Sequence, residues 1–392
     1  MLRRKLKTLF NLIFQYFKFF YWSKKEAKKQ IQKNKIILWS FRGKAYSCNP
    51  KYVTEYILRT CQDAFELVWA FDDPDSFRFL ERKRIKLVKF YSKEFFSELM
   101  TSKFVITNTR IGIDFHKRKG QVYIQTWHGI LALKKIEKDA WKHLKFSYVL
   151  NAYFDSKNID YLLSGCTANT LILKKAFWYN GPILEIGNPR NDIFFDKENT
   201  RKKIDDRYGT INKKIVMYAP TFRKNNSLDV YDINYERILN SLNLKFKKEF
   251  VFFVRLHPNI KHLKINNLAQ NVHDVSDYDD MQELLCASDL LITDFSSSMF
   301  DFVIMRKICF LFALDYKEYI SEERGTYFDV KADMPFPFAT SNDELVSLID
   351  KLNLDDYNRR LESFFYKLGA NESGDASKKL INLMKDLIER NA

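Results

Sequence analysis

The sequence predicts an α/β protein made of two Rossmann-like domains whose parallel sheets face a cleft. Three observations carry that prediction. Short apolar runs alternate with helical periodicities, and such βα alternation implies parallel sheets. The alternation comes in two series that meet at the turn Gly187-Asn188-Pro189-Arg190-Asn191-Asp192. In the second series, residues 289–302 read as a buried strand, a turn at Asp294, and a helix entered through Ser296, Ser297 and Ser298. A chain of 392 residues with 46% hydrophobic side chains is long and apolar enough for two cores.

In chain order, the first series opens with a strand at 35–41, a helix at 50–61 and a strand at 65–71. A strand at 85–91 and a helix at 93–101 follow, then strands at 104–107 and 122–126. Residues 141–154 read as helix, 161–163 as strand, 168–179 as helix and 183–186 as strand. Beyond the turn, a polar helix runs through Arg207. Strands then fall at 215–218, 250–255, 290–293 and 308–312, with a helix at 281–287, and the last fifty residues read as amphipathic helices. The expected domains are an arm at 1–32, a first domain at 33–190 and a second at 191–392.

The formal net charge of +16 is concentrated in the arm, where residues 1–35 hold eleven Lys/Arg against one acid, Glu26. Leu2, Leu6, Leu9, Ile13, Phe17 and Phe20 recur there at helical spacing. A membrane-spanning helix needs about 20 apolar residues. The stretch 8–22 is shorter and is interrupted by Asn11, Gln15 and Lys18. The arm therefore reads as a basic amphipathic helix on an anionic membrane surface. Arg3, Arg4, Lys5 and Lys7 would meet head groups, while Phe17, Phe20 and Trp22 would enter the interface. A helix docked on the protein body and a nucleic-acid-binding arm stand as alternatives, because basic charge alone does not discriminate. The five scattered cysteines show no metal spacing and read as reduced core residues, which points to a reducing compartment. No secretory cleavage pattern follows the N-terminus.

Polar landmarks cluster at the expected strand exits, where an open α/β sheet binds ligands. They are Trp127-His128-Gly129, Thr221 with Arg223, Arg255 with His257, and Asp294 with the serines. Two histidines at strand exits, one in each half, suit proton transfer near neutrality. Serines at a helix start offer backbone N–H groups and a partial positive charge to phosphate. The acidic runs Asp72-Asp73-Pro74-Asp75 and Asp277-Tyr278-Asp279-Asp280 read as caps or loops, the second with an option of lying near a nucleoside. No phosphate-binding glycine–lysine loop, dinucleotide fingerprint or nucleophile elbow occurs, so ATP hydrolysis, dinucleotide redox chemistry and Ser-His-Asp hydrolysis are poorly supported.

Seven motifs, in order, resemble the CDP-glycerol glycerophosphotransferase family of teichoic-acid primases, polymerases and capsule-building relatives. They are TWHG (126–129), LKK (133–135), GNPRND (187–192), YAPTFR (218–223), RLHP (255–258), LLITDFSSSMFDF (290–302) and ERGTYFD (323–329). The resemblance implies a GT-B-like fold and metal-independent transfer of a polyol phosphate from CDP-glycerol or CDP-ribitol, with no cofactor. It implies a lipid-linked or polymeric glycan acceptor at the cytoplasmic membrane face. By the same resemblance, His128 is the general base and His257 contacts the donor pyrophosphate. Thr221, Arg223, Arg255, Asp294, Ser296, Ser297, Arg324 and Gly325 fall on the donor side. Trp127, Gly129, Lys134 and Lys135 fall on the acceptor side. After Gly129, Ile130-Leu131-Ala132 replaces the family's Thr-Pro, and Pro335-Phe336-Pro337 replaces Pro-Gly-Pro. A GT-B glycosyltransferase using a nucleotide sugar, and a non-catalytic membrane-surface or nucleic-acid-binding protein, are the competing readings. The sequence leaves the polyol and the oligomeric state open.

Overall fold

The computed structural model describes residues 17, 20–112, 115–223, 229–256, 269–322 and 325–390. The first domain contains β1 (Gln32–Trp39), α1 (Cys48–Thr60), β2 (Glu66–Phe71), β3 (Lys86–Lys89), α2 (Lys93–Thr101), β4 (Ser102–Thr107) and β5 (Val122–Gln125). It continues through α3 (Phe146–Ser156), β6 (Tyr161–Leu163), α4 (Thr167–Ala176) and β7 (Ile183–Leu184). Its sheet has the order β3-β2-β1-β4-β5-β6-β7, and every neighbouring pair is parallel. Both faces are covered, so the central strands are apolar on both sides, which is why they read as continuous apolar runs. Ile37, Trp39, Val105 and Tyr123 pack with α2 and α4, while Ile36, Leu38, Trp69 and Phe104 pack with α1.

The second domain contains α5 (Glu198–Tyr208), β8 (Lys214–Ala219), α6 (Tyr235–Phe246), β9 (Phe250–Val254), β10 (Val272–Asp274), α7 (Met281–Ala287) and β11 (Leu290–Thr293). Then come α8 (Ser298–Phe302), β12 (Ile308–Phe312), α9 (Tyr316–Glu322), β13 (Phe338–Ala339), α10 (Asn342–Asp350), α11 (Leu354–Leu368) and α12 (Ala376–Glu389). Its sheet is again wholly parallel, in the order β10-β9-β8-β11-β12-β13. Two doubly wound sheets therefore match the expected class. Strands β10 and β13 were absent from the sequence reading because each has only two or three residues and no apolar run. The helix expected at 141–154 is split into a 3-10 turn at Glu137–His143 and α3.

Helices α10 and α11 pack in the second core, as expected, but the expectation that the last helix belongs there too needs correcting. In α12, Leu380, Ile381 and Met384 complete the core beside α1 and the first sheet. Asp192 anchors its start by accepting from the N–H groups of Ala376 (3.0 Å) and Ser377 (2.9 Å). The arm residues Arg3, Arg4, Lys5 and Lys7 lie outside the described residues. Phe17 and Phe20 are exposed, whereas Trp22 packs on the first core beneath Lys93, 5.5 Å from its ring. Trp22 thus serves docking to the body rather than the lipid contact expected of it.

The two domains meet at a buried polar junction. Arg190 pairs with Asp301, whose other oxygen accepts from Asn191 (3.3 Å) and the N–H of Ile130 (3.4 Å). Such a pair adds little net stability, but removing one partner leaves a buried charge at a cost of about 3–5 kcal/mol. Beside it, the carboxyl of Glu372 accepts from Asn188 Nδ2 (2.8 Å), Asn191 Nδ2 (3.1 Å) and the Asn188 N–H (3.1 Å). Gly165 and Gly187 make room for it, since a Cβ on either would sit 2.5 Å and 3.0 Å from its oxygens. Lys51 reaches across the same boundary to Asp280 (2.5 Å) and Glu283 (2.7 Å).

Burial pushes the Glu372 carboxyl up from 4.5 to about 7. A carboxyl raised in the folded state binds more protons there than in the unfolded chain between those two values. Its contribution is complete below about pH 4.5 and is lost as pH rises to about 7. Glu372→Gln cannot ionise, so its melting temperature relative to wild type should climb between pH 4.5 and 7. A constant difference across thermal melts in that window would contradict this assignment.

Candidate active site

Each sheet reverses its strand order once, between β1 and β4 in the first and between β8 and β11 in the second. A crevice opens at such switch points beyond the strand ends. Both are stitched by one side chain. In the first domain, Asn108 Oδ1 at the end of β4 accepts from the N–H of Phe41 beyond β1 at 2.9 Å. In the second, Asp294 at the end of β11 accepts from the N–H (2.9 Å) and the hydroxyl (3.0 Å) of Thr221 beyond β8.

The first stitch carries His128. Its Nδ1 lies 3.0 Å from the carbonyl oxygen of Asn108. A carbonyl can only accept, so Nδ1 holds the proton and Nε2 is the basic nitrogen of the neutral ring. The ring stacks on Trp127, with centroids 4.4 Å apart. Trp127 stands edge-on to Phe177 and takes a positive φ of 50°, which turns the chain sharply out of β5. That strain is held by Asn49, whose amide donates to the carbonyls of Thr126 (3.1 Å) and Trp127 (3.0 Å). Asn49 Oδ1 accepts from the N–H of Arg190 at 3.0 Å, so the histidine turn and the domain junction share one brace.

The second stitch carries the serines. Ser296 Oγ lies 2.8 Å from Ser298 Oγ and accepts from the Ser298 N–H at 3.3 Å. Ser297 precedes α8 in helical conformation, and its hydroxyl makes no capping bond. The helix is five residues long before a 3-10 turn takes over, much shorter than the sequence implied, so its dipole adds little. What remains to offer an anion is local: two hydroxyls and the backbone N–H groups at the turn.

Trp127, His128, Gly129 and Lys134 line one cleft of about 480 Å³ together with Thr221, Ser296 and Ser297. The walls come close at Gly129, where an added Cβ would sit 3.9 Å from Ser297 Oγ and 3.7 Å from Arg190. The lower wall is completed by Glu137, Leu144 and Tyr148. Glu137 takes the buried Arg110 guanidinium at 3.0 Å and the Tyr148 hydroxyl at 2.5 Å. Arg110 also holds Asp155 at 3.1 Å, which fixes α3 beside the cleft.

Three expected donor residues serve as supports rather than as exposed ligand contacts. Arg223 is buried, and its guanidinium is committed to Asp294 (2.8 Å), Asp315 (2.6 Å) and Thr221 Oγ1 (2.6 Å). Those two carboxylates hold it well above its ordinary protonation range. Asp294, acceptor-only as a carboxylate, is spent on Thr221, Arg223 and the N–H of Phe295. Gly325 works through its backbone: its carbonyl accepts from the Lys135 N–H (3.0 Å), and Tyr327 N–H donates to Leu133 O (2.8 Å). This short antiparallel bridge ties the second domain to the loop at 133–135, with Lys135 beside Gly325 and Lys134 5.0 Å over the Tyr319 ring. Arg255 gives one nitrogen to the carbonyls of Val275 (3.1 Å) and Tyr278 (2.6 Å). His257 and Arg324 lie outside the described residues.

Members of both acidic runs make structural contacts. Asp73 accepts from Ser76 (2.6 Å), Asp75 holds Arg78 (2.6 Å), and Asp280 caps α7 through the Gln282 N–H (2.9 Å). Among the described residues, no group of three His, Cys, Asp or Glu is arranged to hold a metal. The cysteines are unpaired, and burial pushes the Cys166 thiol up to about 12, which removes it as a nucleophile.

The sequence profile described as CDP-Glycerol:Poly(glycerophosphate) glycerophosphotransferase matches residues 21–385. The chain is 31% identical to a teichoic acid glycerol-phosphate transferase of Staphylococcus aureus (strain NCTC 8325 / PS 47), over 91% of this chain and 94% of that one. It is also 31% identical to a teichoic acid poly(glycerol phosphate) polymerase of Staphylococcus epidermidis, over 93% of this chain. This chain spans about half of that polymerase's length, 52%. The solved structure of the wall teichoic acid polymerase TagF superposes with a TM-score of 0.82 at 28% identity, covering 100% of this chain and 98% of that one.

The support role of Arg223 is testable. Arg223→Ala should destabilise the protein by about 3–5 kcal/mol in denaturant titration, because the buried Asp294 and the partly buried Asp315 lose their partner. Arg223→Lys should recover only part, since an ammonium cannot span Asp294 and Asp315 as a planar fork does. Stability unchanged in Arg223→Ala would return the residue to direct ligand binding.

Proposed function

Because the chain belongs to the CDP-glycerol:poly(glycerophosphate) glycerophosphotransferase family, we propose that it transfers glycerol phosphate, or a related polyol phosphate, from a CDP-polyol to a glycan hydroxyl. The acceptor is lipid-linked or polymeric, the product belongs to teichoic-acid-like or capsule polymer synthesis, and CMP is released. The observation that carries this reading is a histidine with its basic nitrogen set by the Asn108 carbonyl, on one cleft with Ser296 and Ser297.

In the proposed step, the acceptor oxygen attacks the phosphorus that bears glycerol while His128 Nε2 takes its proton. A new O–P bond forms, the phosphoanhydride P–O bond breaks, and CMP leaves with the bonding electrons. A base in this position contributes roughly 10²–10⁴-fold. The hydroxyls and N–H groups at Ser296 and Ser297 stabilise charge spread over the phosphates. His257, by family resemblance, meets the pyrophosphate. Fixed donors of this kind take the place of a divalent cation, so no metal is required. The enzyme works peripherally at the cytoplasmic membrane face, where a lipid-linked acceptor resides. Among the described residues no helix is long and apolar enough to cross a membrane.

CMP release should be measured from CDP-glycerol and from CDP-ribitol, with membrane lipid as acceptor and EDTA present. Release should persist in EDTA and fall by about 10²–10⁴-fold in His128→Ala. Release that needs added Mg²⁺, or that survives the substitution, would refute the mechanism.

A further inference from the structure

The loop between β1 and α1 carries large side chains where the backbone favours none. Phe41 and Arg42 follow one another at φ 47° and 59°, and Gly43 continues at 84°. That region suits glycine, and a bulky residue held there is strained, a feature that clusters at functional sites. The loop is fixed in this shape. The Gly43 N–H donates to the Ser40 carbonyl (2.9 Å), and the Gly43 carbonyl accepts from the Asp72 N–H just beyond β2 (2.9 Å). A Cβ on Gly43 would lie 2.8 Å from that Asp72 nitrogen, so the turn is pressed against the end of β2. Ser40 Oγ donates to the Ser47 carbonyl at 2.6 Å and closes the loop at its base.

Both ends of the loop are tied to the histidine turn. At one end the Phe41 N–H donates to Asn108, whose carbonyl holds His128 Nδ1, and the Phe41 ring lies 6.1 Å from the His128 ring. At the other end Asn49 holds the carbonyls of Thr126 and Trp127. Arg42 and Lys44 are therefore carried at a fixed place beside the base. Both are exposed, and among the described residues neither pairs with a carboxylate. Cations further along are spent, Lys51 on Asp280 and Glu283, and Lys83 on Glu55. The acidic run after β2 does not serve the loop either: Asp72 bonds to it only through its N–H, Asp73 takes Ser76 and Asp75 takes Arg78.

Two unpaired cations on a rigid, strained loop form a receptor for a phosphate ester. In the transfer reading, Ser296 and Ser297 of the second domain serve the donor phosphates, so an anion on the first-domain side belongs to the acceptor. In an acceptor that ends in glycerol phosphate, a phosphate lies one glycerol unit from the attacking hydroxyl. We propose that Arg42 and Lys44 bind that phosphate and make the protein prefer an acceptor already ending in a polyol phosphate over an uncharged one. This deepens the transfer reading and rests on it. Neither side chain takes part in bond making; the two select and place the acceptor while His128 takes its proton.

The test uses two synthetic alkyl glycosides, one ending in glycerol phosphate and one in glycerol joined through a neutral ether. CMP release is followed with the CDP-polyol that supports turnover. Wild type should favour the charged acceptor, and Arg42→Gln with Lys44→Gln should lower the ratio of kcat/KM between the two by about tenfold or more. KM for the CDP-polyol should not move. Arg42→Gly should melt no lower than wild type, because glycine accepts a positive φ, and should still lose preference. A loss shared equally by both acceptors, a raised KM for the donor, or a lower melting temperature in Arg42→Gly would overturn the proposal. Failure of the transfer reading looks different: wild type releases no CMP with either acceptor. Calorimetric titration with the phosphate-bearing glycoside decides the loop's role even then. Binding should weaken by about tenfold in the double variant, and equal binding would contradict the assignment.

Discussion

The bond between Arg190 and Asp301 is the constraint on which the rest of this structure depends. It joins the turn that ends the first domain to the helix that follows the serines, and both side chains are buried. The Arg190 N–H also holds Asn49, which holds the carbonyls of Thr126 and Trp127. One chain of contacts therefore fixes the serine turn of one sheet against the histidine turn of the other. Transfer chemistry is steeply sensitive to such placement, because misalignment by about an ångström can cost roughly a hundredfold in rate. A buried ion pair is a poor way to gain stability but a good way to specify a single arrangement.

The site divides labour between groups that face the cleft and groups that hold them there. His128, Ser296 and Ser297 face it, with Thr221 and Lys134 on its walls. Asn108, Asp294 and Arg223 stand behind them, buried and held by fixed partners. The carboxylates near the site are thereby engaged by guanidinium groups, Asp294 and Asp315 sharing Arg223 and Asp301 taking Arg190. The cleft thus presents hydroxyls and N–H groups rather than open carboxylates at Ser296 and Ser297. The first-domain wall is built similarly, with Glu137 locked to Arg110 near the loop that carries Lys134.

Much of this was readable in the sequence. Buried parallel strands announce themselves as apolar runs, and the polar residues just past them mark the cleft, which is how His128, Thr221 and the serines were found. The same rule would have offered Asn108, one residue beyond β4, had the strand been followed to its end. Other features were hidden for physical reasons. Nothing local shows that Arg223 folds inward between two carboxylates 71 and 92 residues away. Nor does local pattern show that Glu372, in a polar stretch near the C-terminus, returns to Asn188 across 184 residues. Helical spacing found α3 in outline but could not say that its apolar stripe turns outward, because periodicity reports a face and not its neighbour.

The account stands or falls on His128 being a base by virtue of its tautomer. The direct measurement is ¹⁵N NMR of the histidine rings, with His128 assigned by its loss in His128→Gln. The structure predicts that the ring, when neutral, is protonated at Nδ1, with the Nε2 lone pair responding to a bound acceptor hydroxyl. A neutral ring protonated at Nε2 would mean that the nitrogen facing the reaction has no lone pair to give, and the proposed proton transfer would be wrong.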